Sequence, residues 1–164
     1  MLSRPCRSAS VRRMKPEDLD AYLHAHIPLS RHMGLRVLHL DDHGIRVGLP
    51  LAPNVNPHGS VFGGSLAALG LVSAWALLHA RFEQAGLSVR LVGKQGQCDF
   101  LAPAEGDCVA ETRAEDFDTL FASFRRLGRA RQALLTTIRV GGLEVARHRG
   151  LYTALTPPSA TESE

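Results

Sequence analysis

The sequence predicts an α+β domain in which an antiparallel sheet curls around one long buried helix. Three observations carry this. An uncharged stretch, Phe62 to Ala80, is long and apolar on every side. Short segments of alternating apolar and polar residues flank it, which is the period of half-buried strands. Two such runs near the end, Ala130 to Val140 and Leu143 to Leu155, are joined by Gly141-Gly142, a hairpin signature. Strands grouped after a helix favour α+β over an alternating parallel fold.

In chain order, Pro16 opens a helix with Glu17 and Asp18 in its first turn and Leu19, Tyr22 and Leu23 on one face; Pro28 is expected to end it. Gly34 to Asp41 reads as a strand with Leu35, Val37 and His39 on a common face, turned by Asp42-His43-Gly44. Ile45, Val47, Leu49 and Leu51 then alternate with Arg46, Gly48 and Pro50, a strand whose end, or whose edge position, Pro50 marks. The uncharged segment approaches the length of about 20 residues needed to span a bilayer. It carries Gly70, Ser73 and His79 and has no companion span, so it reads as the core helix of a globular protein, with no membrane span. Leu87 to Phe100 is a strand broken by Gly93 and Gly96, Cys108 to Arg113 another, and Asp118 to Leu127 a short amphipathic helix.

The length of 164 residues suggests one domain, placed at 16–155 between a basic tail (1–15) and a Pro/Ser/Thr/Glu tail (156–164), both expected to be disordered. The Arg- and Ser-rich start also has the composition of an organellar transit peptide, and it lacks the apolar segment of a secretory signal. Five bases lie in the first fifteen residues; without them 14 bases face 16 acids. The folded part is therefore no nucleic-acid binder by net charge. Cys6, Cys98 and Cys108 are odd in number and widely spaced, which suits a reduced, cytoplasmic protein. No histidine pair has metal-ligand spacing, so neither a metal nor a cofactor is expected.

Function concentrates in Asn54 to Gly64, Asn-Val-Asn-Pro-His-Gly-Ser-Val-Phe-Gly-Gly. A Gly-Gly pair opening an apolar helix leaves bare backbone N–H groups at the positive end of the helix dipole. Such a terminus can polarise a carbonyl oxygen, and glycine lets the ligand approach. The N–H of Gly64 or Ser65 is the candidate donor, with Gly63 allowing access; tight helix packing is the alternative use of the pair. Asn54 and Asn56 are either turn formers or ligand groups, Asn56 being the candidate to hold a water. His58 has the right basicity to accept a proton near neutrality, or is a solvated loop residue. Ser65 could also cap the helix, Ser73 bond back to a helical carbonyl, and Asp99 supply a base from a neighbouring strand or a structural acid. Arg125 and Arg126, with Arg129 and Arg131, form a basic cluster that is either a solvated face or a phosphate-binding one.

Ile27-Pro28-Leu29, Met33-Gly34, Ala52-Pro53-Asn54-Val55-Asn56, Gly59-Ser60-Val61-Phe62-Gly63-Gly64-Ser65-Leu66, Trp75 and Phe100-Leu101-Ala102-Pro103 resemble the thioesterase family named for the C-terminal domain of YiiD, within the hot-dog superfamily. The similarity covers Leu19 to Leu155. It implies a hot-dog fold, a homodimer or dimer of dimers, and acyl thioesters of coenzyme A or acyl carrier protein as substrates, with Phe62 in the substrate site. Many hot-dog thioesterases place a histidine before the glycine pair and a carboxylate two turns into the helix. Here Phe62 takes the first position, and Leu71 and Val72 the second, so the proton acceptor is missing. That gap keeps two other readings open: a non-catalytic acyl-thioester binding module, and a hydratase or dehydratase, which needs an acid–base pair.

Overall fold

The computed structural model describes residues 13–158. The tail expectations for residues 1–12 and 159–164, and Cys6, lie outside them. Within them, Arg13 pairs with Asp42 at 3.4 Å and Met14 packs on the core, so the chain engages the domain before residue 16.

Helix α1 (Pro16–His26) starts on a proline, which has no N–H to waste at that position, and buries Leu19 and Leu23. Pro28 interrupts the helix at Ile27 but does not end helical structure: it opens a second short helix, α2 (Pro28–His32). The residue before a proline is driven out of the helical region, and the proline itself suits a first turn. Gly34 then turns the chain at φ +71°, where a side chain would meet the Pro50 ring.

Strands β1 (Arg36–Leu40) and β2 (Gly44–Leu49) pair antiparallel. Their register shifts between Val37 and His39. The shift turns His39 outward, where it meets Asp41 at 2.9 Å, contrary to its expected place on the buried face. In β2 the alternation holds: Ile45, Val47 and Leu49 are each at most 1% exposed.

Helix α3 (Gly63–Gln84) is the central element and runs four residues beyond the uncharged stretch. It is long and apolar enough to cross a membrane, yet it packs against β2, β4 (Cys108–Arg113) and three further strands, β3 (Arg90–Phe100), β5 (Arg129–Val140) and β6 (Leu143–Leu155). Strand β4 buries Cys108, Ala110 and Thr112 on that side. Helix α4 (Phe117–Leu127) is capped by Asp116, whose carboxylate accepts from the Thr119 N–H at 3.0 Å, and ends at Gly128, φ +64°. It seals the far end of α3 with Phe121 and Phe124, both edge-on to Phe82.

All six strands form one antiparallel sheet in the order β1-β2-β4-β5-β6-β3. The β5–β6 hairpin is its spine, and β3 lies at one edge. The sheet wrapped on α3 is the architecture expected from the sequence.

Candidate functional site

The loop before α3 is built by asparagines. Asn54 is 4% exposed and donates both amide hydrogens, to the Met33 and Pro50 carbonyls at 2.8 Å each. The backbone carbonyl of Asn54 receives the Phe62 N–H at 2.7 Å. The Asn54 side chain, read from the sequence as either a turn former or a ligand group, spends its donors on clasping three segments together. Asn56 shapes the tip: its carbonyl Oδ1 accepts from the His58 and Ser60 N–H groups at 2.9 and 3.3 Å, and its Nδ2 donates to Ser60 Oγ at 3.0 Å. Gly59, at φ +81°, completes the turn. Asn56 thus sets the backbone that carries His58, which is exposed at the loop tip.

At the helix start, the Ser65 N–H donates to the Phe62 carbonyl at 2.9 Å, and Leu66 to the same oxygen at 3.2 Å. Ser65 is thereby engaged within the first turn. The N–H groups of Gly63 and Gly64 precede the first carbonyl they could use, and among the described residues neither has an acceptor. Two phenyl rings flank them. A Cβ on Gly63 would lie 3.3 Å from the Phe100 ring, and one on Gly64 2.2 Å from Phe62 Cε1. The glycine pair therefore does two things at once: it admits the rings and leaves the amides bare.

Beside this terminus lies a cleft of about 580 Å³. Its apolar wall includes Val61, Leu66, Phe100 and Leu101; its polar wall holds His58, Ser60 and Glu105, with Gly63 at the helix end. The Val61 N–H donates to the Ala104 carbonyl at 2.8 Å, tying the two loops that form the mouth. Phe62, Phe100 and Leu101 are each more than half exposed, an apolar rim around the opening. A second hollow of about 440 Å³ on the outer sheet face, lined by Gln95, Gln97, Leu135 and Arg149, has no helix terminus.

The other sequence candidates sit elsewhere. Asp99 bonds Gln97 and Arg149, and those two partners hold its carboxyl below the usual range. Ser73 Oγ donates back to the Leu69 carbonyl at 2.7 Å. Arg125 and Arg126 are exposed on α4, which packs at Phe82. Phe82 lies about 27 Å from Gly64 at 1.5 Å of rise per residue, so one protomer does not bring the arginines to the cleft. Leu71 and Val72, where the resemblance would place a carboxylate, are 40% and 7% exposed hydrocarbon. Glu105 was not singled out from the sequence. The only cue was its place just after Phe100-Leu101-Ala102-Pro103, and nothing local says that this loop folds against residues 58–61. Among the described residues, no group of three or more His, Cys, Asp or Glu side chains could hold a metal ion.

A family model described as "Putative thioesterase (yiiD_Cterm)" matches residues 16–156. Among solved structures, one of a "putative thioesterase" from Shewanella oneidensis is 25% identical, with a TM-score of 0.80 over 85% of this chain and 96% of that one. A Pseudomonas aeruginosa protein described as of unknown function and as a "probable thioesterase" is 26% identical, with a TM-score of 0.77 over 87% and 96% of the two chains. A protein of unknown function from Chlorobaculum tepidum TLS, 24% identical, superposes with a TM-score of 0.81 over 88% and 99%. The wrapped-helix architecture is the hot-dog fold of these neighbours.

Proposed function

Since the chain belongs to the thioesterase family of the YiiD C-terminal type, we propose that it hydrolyses acyl thioesters of coenzyme A or acyl carrier protein in the cleft at the start of α3. The observation that carries this is the pair of acceptor-free N–H groups at Gly63 and Gly64 beside an apolar cleft. The thioester oxygen accepts from these amides, which lie at the positive end of a helix of 22 residues. The acyl chain rests on Leu66, Phe100 and Leu101, with Phe62 at the rim. Water attacks the carbonyl carbon, negative charge moves onto the oxygen facing the glycines, and collapse expels the thiolate.

A second copy of the chain fits the same reading. Strand β3 is an open sheet edge, and Leu71 of α3, 40% exposed, lies within 3.8 Å of where side chains at Gly93 and Gly96 of β3 would begin. Unpaired edge amides with apolar surface beside them favour strand pairing between copies. A homodimer built there would cover the apolar rim. Cys98 and Cys108 are both free thiols, which suits the cytoplasmic setting proposed for the chain.

Gly64→Val tests the site. The new side chain must displace the Phe62 ring and crowd the amides, so thiol release from acyl-coenzyme A should fall about 10²–10³-fold, the scale of a lost oxyanion donor. Turnover equal to the parent's would refute the role. Tight acyl-coenzyme A binding by the parent without thiol release would favour the binding-module reading, for which the missing helix carboxylate speaks.

A further inference from the structure

We propose that Glu105 is the proton-accepting carboxylate of this reaction, supplied by the loop between β3 and β4 in place of the helix position filled here by Leu71. The proposal rests on the thioester-hydrolase reading of the cleft.

Glu105 is the one carboxylate among the residues that line the cleft beside Gly63. Its backbone is fixed on both sides. Ala104, 2% exposed, accepts the Val61 N–H through its carbonyl at 2.8 Å. Asp107 accepts the Leu51 N–H through its carboxylate at 2.8 Å. The neighbouring acids are thereby committed: Asp107 to Leu51, and Asp99 to Gln97 and Arg149. Among the described residues, Glu105 has neither a salt-bridge partner nor a side-chain hydrogen bond, so its oxygens are left for a water. The Val61–Ala104 bond sets the Glu105 loop against the loop of His58 and Ser60. The helix terminus and the carboxylate then flank one space, the donor side for the oxyanion and the acceptor side for the nucleophile.

The step balances with water as the only co-reactant. A water oxygen forms a bond to the thioester carbon while Glu105 takes its proton. The carbonyl electron pair moves to the oxygen held by Gly63 and Gly64. Return of that pair breaks the carbon–sulfur bond, and the proton passes from Glu105 to the departing thiolate. The products are a carboxylic acid and a free thiol. His58, on the same wall, is the competing acceptor, and the experiment separates the two.

Thiol release from short, long and aromatic acyl-coenzyme A is measured from pH 5 to 9 for the parent, Glu105→Gln, Glu105→Asp and His58→Gln, with thermal unfolding of each. Glu105→Gln should keep the parent's melting temperature and KM within about threefold while kcat falls about 10²–10⁴-fold, the range for loss of a general base. Glu105→Asp should restore part of the rate. His58→Gln should lower kcat far less than Glu105→Gln does at every pH measured. Glu105→Gln with parental kcat overturns the role of Glu105 and leaves the hydrolase reading standing. A parent that releases no thiol from any substrate overturns both.

Discussion

Replacing Asn54 with alanine should unfold this protein more than it disables its chemistry. The side chain is 4% exposed and makes two 2.8 Å hydrogen bonds, to the Met33 and Pro50 carbonyls. Truncation removes both donors and strands two acceptors. A buried group left unsatisfied costs about 1–3 kcal/mol. The Pro50 bond is only partly buried, so water recovers some of its share, and about 3 kcal/mol for the pair is the working figure. For a chain of this size each kcal/mol lowers the melting temperature by about 2–4 °C, giving a fall of roughly 6–12 °C. Urea unfolding is the direct assay: the midpoint should drop with the slope unchanged, because the denatured surface is the same. Asn54→Asp should be worse, since a carboxylate would face two carbonyl oxygens. A stability change below about 0.5 kcal/mol, the size of an ordinary surface substitution, would refute the clasp. If activity were lost at the same time, Asn54 would instead belong to the ligand.

Acid should also weaken the fold. Burial pushes His79 below the ordinary value of 6.5, with Glu83 offsetting part of the effect, and burial alone pushes His148 down. Each is neutral when folded and takes up a proton on unfolding, so the unfolded state binds more protons just below pH 6.5. This contribution is intact above that value and is lost as pH falls towards the depressed folded values. Urea midpoints at pH 7.5 and 5.5 should differ, and His79→Phe should flatten the difference. Alanine at both Arg125 and Arg126 should leave kcat and KM for acyl-coenzyme A within about twofold if one protomer's cleft acts alone. A raised KM at constant kcat would show that the arginines reach substrate phosphates, through the partner or by an extended ligand.

Legible in the amino acids alone were the helix that becomes the core, the succession of strands along the chain and the glycine pair that bares the helix start. Those features are local: an uncharged apolar run, a two-residue period, a Gly-Gly pair and a hairpin turn each lie within one continuous stretch of chain. The sequence also marked Asn54 and Asn56 as turn formers or ligand groups without deciding between the two. The folded contacts settle that Asn54 holds α2 and the end of β2 together, that Ser65 is engaged within its turn, and that Arg125 and Arg126 sit at the opposite end of α3. His39 turns outward because two strands pair with a shifted register, which no single strand records. Gly70 shows the same limit. Within the helix it is a weak point, yet a Cβ there would lie 2.3 Å from the Cβ of His148 on β6, so it is what lets helix and sheet close up. Glu105 enters the cleft in the same way, because loops far apart in the chain meet once the sheet has wrapped. Contacts between distant residues form only after the chain has collapsed around the helix, and they leave no periodic trace in the order of amino acids.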